Sequence, residues 1–266
     1  MAKAALPSPA VSKVIEVRDG FWNVRGSFRI GGVFDIGTQM SLVRLANGRY
    51  VLLDACALDA AARSLIDDRT AGGEKLAAIV HLHPFHTIHV RAAHEAYPKA
   101  KLYGTSRHHT KLGDLPWEAT RTEDPETARL FADDLELWVP RGVDFVPSDP
   151  NLHFSSVLAF HPASKTLHVD DTLVVGHLPR ILGGTMVRFH PTLGKVLERR
   201  PGAADDFRAW ARDLLSRATE IENVCAAHLS PLVGRNHPQT SISQHIETAL
   251  RKAEGKLTAH AKKHPS

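Results

Sequence analysis

The strongest constraint in this sequence is a run of three histidines placed directly after a short apolar segment. His81, His83 and His86 follow residues 76–80 (LAAIV), a run typical of a buried strand. Two histidines two positions apart in a tight loop can point both imidazoles at one place, and the third extends the set. Convergent imidazoles on a rigid strand end are typical of metal sites. With 17 histidines in the chain, a polar loop with incidental histidines is the alternative interpretation.

Three residues far along the chain fit the same site. His153 precedes a predicted strand, Asp171 follows another, and His228 ends a third. Side chains from several strand ends, gathered at one edge of a sheet, are how α/β folds build sites. Histidine nitrogens together with one carboxylate suit Zn²⁺ or Fe²⁺.

Hydrophobic periodicity and turn residues predict the strands and helices in the rest of the chain. Strands are predicted over 11–17, 21–30, 39–45, 49–55, 76–80, 101–104, 135–140, 143–147, 155–160, 166–170 and 223–228, and helices over 58–68, 89–97, 205–218 and 241–257. Asn47-Gly48 between apolar runs predicts a hairpin. Residues 176–204 are rich in Gly and Pro and predict a long surface segment, in which His177 or His190 could touch a substrate. No repeat and no clear linker divides the chain, which predicts one domain over residues 1–266.

Charge and composition exclude several classes of function. The formal net charge is +4, and residues 251–266 alone hold five basic residues and one acidic residue. The remainder is therefore neutral, which argues against a nucleic-acid partner. No apolar run reaches about 18 residues, so we expect no membrane span. Two cysteines and the lack of a readable secretory signal predict a reducing, cytoplasmic location.

The order of these motifs resembles the metallo-β-lactamase superfamily. The segments that carry the likeness are RYVLLDA, AIVHLHPFH, LHFSSVLAFHPASKTLHVDDTL and CAAHLSPL, and the likeness covers roughly residues 12–235. The resemblance implies an α/β fold, a four-layer αββα sandwich of two mixed β-sheets. Residues 240–266 would then add a C-terminal helix and a basic tail.

The resemblance also implies a ligand set and a reaction. His81, His83 and His153 would hold a first metal, His86 and His228 a second, and Asp171 would bridge the two. Asp170 is adjacent and could compete for that role. Zinc, as one or two ions, is the implied metal, with iron possible. Asp171 would orient the attacking water, and His86 or His228 would hold or position it.

One position departs from the family motif HxHxDH, in which the Asp ligates the second metal. Phe85 stands there, and its side chain has no lone pair to donate. A single-metal centre is therefore as compatible with the sequence as two metals. The first hypothesis is a metal-dependent hydrolase of an unknown small-molecule substrate. The alternatives are a catalytically degenerate protein with a binding or structural role, and a mononuclear iron oxidoreductase.

Overall fold

The structure is a computed structural model that describes residues 12–30, 34–177, 185–228, 230–234 and 241–265. Its first sheet has six strands: β1 (Lys13–Arg18), β2 (Phe21–Gly26), β5 (Thr38–Arg44), β6 (Tyr50–Leu53), β7 (Leu76–Val80) and β8 (Lys101–Tyr103), in that spatial order. A short separate hairpin, β3 (Arg29–Ile30) and β4 (Phe34–Asp35), lies between β2 and β5 in the chain.

The first sheet is mixed because its connections change from turns to helices. β5 and β6 are antiparallel, and the turn between them contains Gly48 at φ 78°, a conformation that favours glycine. The predicted hairpin is confirmed. β6, β7 and β8 are parallel, so their connections must cross over, and they do so through α1 (Ala60–Thr70) and α2 (Val90–Ala96).

The second sheet has five strands: β9 (Glu136–Trp138), β10 (Leu158–His161), β11 (Thr166–Val169), β14 (Asn223–Ala226) and β15 (Leu232–Val233). Their spatial order is β15-β14-β11-β10-β9. β11 and β14 are parallel and the other pairs antiparallel. A further hairpin consists of β12 (Leu173–His177) and β13 (Thr185–Phe189).

The remaining helices are α3 (Ser106–Lys111), α4 (Pro125–Phe131), α5 (Leu193–Val196), α6 (Ala203–Arg217) and α7 (Ile242–Lys263). α7 begins at the predicted position, where Ser241 and Gln244 form a capping box. Within the part of the chain that the structure describes, no helix is long and apolar enough to cross a membrane.

Three apolar clusters define the layers. The two sheets face each other across a central cluster that contains Phe21 and Val51 from one sheet and Ala159 and Cys225 from the other. A second cluster packs α1 and α2 against the outer face of the first sheet, and a third packs α6 and α7 against the second sheet. These layers are the predicted αββα sandwich.

Two expectations from sequence were wrong. Residues 176–204 do not lie wholly on the surface, because β13, α5 and the end of β12 lie there and Val187, Phe189 and Leu193 are buried against α6 and α7. This tertiary packing outweighs the Gly and Pro content of the segment. Residues 143–147 form no strand, and Val143 makes only an isolated bridge to Leu197. The helices α3 and α4 were also not predicted, since both are short and weakly periodic.

Candidate metal centre

Four of the predicted histidines lie around one predicted carboxylate, that of Asp171. The loop after β7 carries His83 and His86, the turn after β11 carries Asp171, and His228 follows β14. His83 Nε2, His86 Nε2 and His153 Nδ1 lie 3.3, 3.7 and 3.5 Å from Asp171 Oδ2. His228 Nε2 lies 3.1 Å from the other oxygen, Asp171 Oδ1.

Four of these side chains have the geometry of a metal ligand set. His83, His86, His153 and Asp171 each offer a ligand atom, and all four atoms lie within 4.8 Å of one another. For a cation about 2.1 Å from each ligand, the edge of a tetrahedron is about 3.4 Å, close to the three distances from Asp171 Oδ2. His83 Nε2 is buried and has no hydrogen-bond partner. The donor set therefore fits a cation at its centre.

The charges of the cluster are strongly coupled. Burial alone raises the pKa of Asp171, but the surrounding histidines outweigh burial and hold that pKa well below its usual range. Burial lowers the pKa of His86, but Asp170 and Asp171 outweigh it and raise the pKa to about 9. For His83, burial dominates and the pKa falls well below 6.5. Asp171 is thus an anion, as a metal ligand must be, and His86 would have to release a proton before it could bind a cation.

Backbone carbonyls orient two of the imidazoles. His153 Nε2 donates to the carbonyl of Pro150 at 3.0 Å, which leaves Nδ1 as the nitrogen that faces Asp171. His228 Nδ1 donates to the carbonyl of Gly37 at 2.8 Å, so Nε2 faces the site. A ligating imidazole is normally held in this way by a partner on its other nitrogen.

Phe85 has a packing role at this site. Its ring stacks on His153 with centroids 4.9 Å apart, and the guanidinium of Arg107 lies 4.4 Å from the Phe85 centroid. The backbone N–H of Phe85 donates to His83 Nδ1 at 3.1 Å, which leaves the ring proton of His83 on Nε2. Ligation by Nε2 would require that proton to leave and this contact to rearrange.

The structure places His81 outside this cluster. Its ring is fully buried, with its centroid 5.2 Å from that of His108 and 6.1 Å from that of Trp117, and neither ring nitrogen has a hydrogen-bond partner. The three histidines of the motif therefore separate: His83 and His86 face Asp171, and His81 faces α3 and Trp117. The role of His81 as a ligand stays a prediction.

Sequence reasoning missed a second buried group behind the cluster, formed by Asp54, His168 and Asp170. Asp54 Oδ1 accepts the N–H of Leu82 at 2.9 Å, within the histidine loop. Only the position of Asp54 at a strand end pointed to this contact.

A cavity of about 370 Å³ opens onto the cluster. Phe28, Ile36 and Ile88 form apolar parts of its wall, and Asn151 and His190 are polar residues that line it. His190 is one of the two histidines predicted to meet a substrate, and the side chain of the other, His177, lies outside the described residues.

Comparison with solved structures identifies the fold. The metallo-β-lactamase DIM-1, in a crystal exposed to ceftazidime, superposes with a TM-score of 0.58 at 16% identity, over 92% of this chain and 99% of that one. FIM-1 from Pseudomonas aeruginosa, in its mono-zinc form, gives 0.59 at 13% identity, over 93% and 98%. The chain has the metallo-β-lactamase fold. A metallo-β-lactamase from Erythrobacter litoralis, with β-mercaptoethanol in its active site, gives 0.60 at 14% identity, over 92% and 96%.

The likeness is one of structure and not of sequence. No protein-family model matches the chain, and no curated protein matches it. At such low identity the metallo-β-lactamase fold alone is shared, and the chemistry of this chain has to be argued from its own side chains.

Proposed function

We propose that this protein is a metal-dependent hydrolase of a small molecule, with one divalent cation held by His83, His86, His153 and Asp171. The observation that carries the proposal is the set of distances from Asp171 Oδ2 to the three imidazole nitrogens, 3.3–3.7 Å, because these are the spacings of ligands around a shared ion. Zinc is the proposed ion, since one structural neighbour is described in its mono-zinc form.

The cation, His228 and Asp171 would have different roles in hydrolysis. A bound divalent cation would lower the pKa of water towards neutrality and polarise the group to be cleaved. His228 is fixed by Gly37 so that Nε2 faces the site, and it can take a proton from the attacking water and return it to the leaving group. Asp171 keeps the imidazoles converged.

The cavity suggests a substrate with an apolar part. Phe28, Ile36 and Ile88 would contact that part, and Asn151 and His190 would hydrogen-bond its polar end. A largely apolar wall with a few polar groups is typical of sites for small molecules. We therefore infer a small-molecule substrate that carries a hydrolysable bond next to an apolar group.

Metal content and hydrolysis of chromogenic esters, thioesters and lactams, measured together, test the proposal. We expect His83→Gln to lose the ion at this site and at least about 100-fold in kcat/KM, and His228→Gln to keep the ion but lose at least about 100-fold in kcat, since general acid–base catalysis contributes roughly that much. His161→Gln, a buried histidine away from the site, is the matched control and should match the wild type. Unchanged metal content in His83→Gln would contradict the proposal.

Two other functions have a specific observation in their favour. A mononuclear set of histidines and one carboxylate also suits non-haem iron, and oxygen uptake by iron-loaded protein would favour an oxidoreductase. The packing of Phe85 against His153 favours a degenerate binding protein. In that case the wild type would hydrolyse no member of the panel, and Phe85→Asp would raise the metal content or the rate.

A further inference from the structure

A second group of potential ligands lies wholly inside the protein, behind the first. Asp54, His168 and Asp170 are at most 1% exposed, and their ligand atoms lie within 4.8 Å of one another. Asp54 follows β6 of the first sheet, whereas His168 and Asp170 lie in and directly after β11 of the second. The group therefore connects the two sheets at the end where the histidine loop begins.

Hydrogen bonds satisfy the two carboxylates of this group only in part. Asp54 Oδ1 accepts the N–H of Leu82 at 2.9 Å. Asp54 Oδ2 lies 3.1 Å from His168 Nε2, and Asp170 Oδ1 is 3.4 Å from the amide nitrogen of Gln39. Asp170 Oδ2 is buried and has no hydrogen-bond partner. Two carboxylates enclosed together in the interior are costly unless positive charge lies between them.

The orientation of His168 suits a ligand. Its Nδ1 lies 2.9 Å from the hydroxyl of Ser41, and that hydroxyl also accepts the amide of Asn23 at 3.0 Å. In the tautomer that carries Nδ1–H, which donates to Ser41, the lone pair of Nε2 faces Asp54 and is available to a cation. A metal-ligating histidine typically donates its other N–H in this way.

The guanidinium of Arg25 binds neutral oxygens near this group, among them Gln39 Oε1 at 3.0 Å. Its two terminal nitrogens donate to the carbonyls of Ala226 and Ala227 at 2.6 and 2.9 Å. Arg25 and His86 both act on Asp170 through their charge, so a cation between the two carboxylates would add to them.

We propose that Asp54, His168 and Asp170 hold a second divalent cation in a closed site. One imidazole and two carboxylates suit Zn²⁺, Fe²⁺ or Mn²⁺. His86 separates the two groups, with Nε2 3.7 Å from Asp171 and Nδ1 3.7 Å from Asp170. The alternative occupant is a single proton shared by the two carboxylates. The proposal is independent of the hydrolytic function.

The test counts cations in the full chain after loading with Zn²⁺ and desalting. We expect two per chain in the wild type, one in His168→Gln, one in His83→Gln and none in the double variant. His161→Gln is the matched control, because it removes a buried histidine outside both groups, and it should keep two. Two cations in His168→Gln would overturn the proposal.

If His168→Gln does not fold, an anomalous-scattering map of zinc-loaded wild-type crystals, collected at the zinc edge, tests the proposal without a variant. A peak bonded to Asp54, His168 and Asp170 supports the closed site. A peak only among His83, His86, His153 and Asp171 overturns the closed site but not the proposed hydrolase. A proton shared by Asp54 and Asp170 would then take the place of the second cation. A peak only at the closed site supports this inference and contradicts the hydrolase.

Discussion

Phe85 shows how one side chain can change the chemistry of a motif without breaking the fold. In the resembling motif this position is an Asp ligand, whereas here its ring packs between His153 and Arg107. The Phe85 ring therefore orients His153, a proposed ligand, whereas an Asp at this position would bind the ion itself. The prediction of a reduced ligand set depends on this residue.

Replacing Phe85 by Leu removes the aromatic contact and keeps an apolar side chain. We expect the affinity for Zn²⁺ to fall about tenfold, since loss of a residue that orients a ligand typically costs 10–100-fold. Competition with a chromophoric chelator measures the change. Phe131→Leu, whose ring contacts Tyr103, is the control and should bind Zn²⁺ like the wild type. Equal affinities in both variants would rule out an orienting role for Phe85.

His161 tests how the buried histidines affect stability. Its ring is 3% exposed, lies 2.8 Å from the Ser164 hydroxyl and faces Asp134 and Arg44. Burial lowers the pKa of His161, so below about pH 6.5, the unfolded value, the unfolded state binds the proton more strongly. We expect the free energy of unfolding to fall with pH below about 6.5, and less steeply in His161→Gln. Urea unfolding across pH 7.5–5 measures both slopes, and identical slopes would contradict the pKa direction.

Among the helices and strands, those with the strongest local sequence signals were predicted best. The strand β7 has the predicted bounds, and the hairpin at Asn47-Gly48 and the capped start of α7 were found because each has a strong local signal. β12 and β13 were missed because burial against α6 and α7, and not local periodicity, determines them. Local patterns therefore predicted the elements with strong local signals better than those that tertiary burial determines.

The turn after β9 depends on a glycine for a reason that sequence does not reveal. Gly142 has φ 73°, and an added Cβ would lie 2.1 Å from the carbonyl oxygen of Ala203 in α6. Gly48 has φ 78° and open space around the same position. Both glycines thus have a positive φ that strains other residues, but only at Gly142 would an added Cβ clash with a neighbouring atom.

We expect Gly48→Ala to cost roughly 1–2 kcal/mol of unfolding free energy through its backbone conformation alone. Gly142→Ala should cost roughly 1–3 kcal/mol more, because overpacking adds to that strain. Denaturant unfolding at neutral pH compares the pair. Equal losses would mean that α6 does not approach Gly142 as closely as the structure shows.

At the scale of the molecule, the proposed ion joins segments that are far apart in sequence. His83, His153 and Asp171 come from three separate stretches of the chain. Their positions at strand ends predicted that they meet, as they do. Which two imidazoles of the motif converge was not predictable, because the packing of His81 against His108 and Trp117 decides it.

Removing the ion should therefore destabilise the whole fold. At a free Zn²⁺ concentration 100-fold above Kd, binding adds about 2.7 kcal/mol, which corresponds to about 5–10 °C in Tm for a chain of this length. We expect a chelator to lower the wild-type Tm by that amount, and by less in His83→Gln. A chelator effect of the same size in both proteins would indicate that this site does not contribute.

The most direct measurement is the position of the ion itself. Crystals of zinc-loaded protein, measured on both sides of the zinc edge, should show an anomalous peak about 2.0–2.2 Å from His83, His86, His153 and Asp171, with His81 packed against Trp117. Absence of a peak from that cluster, with its imidazoles turned apart, would contradict the account.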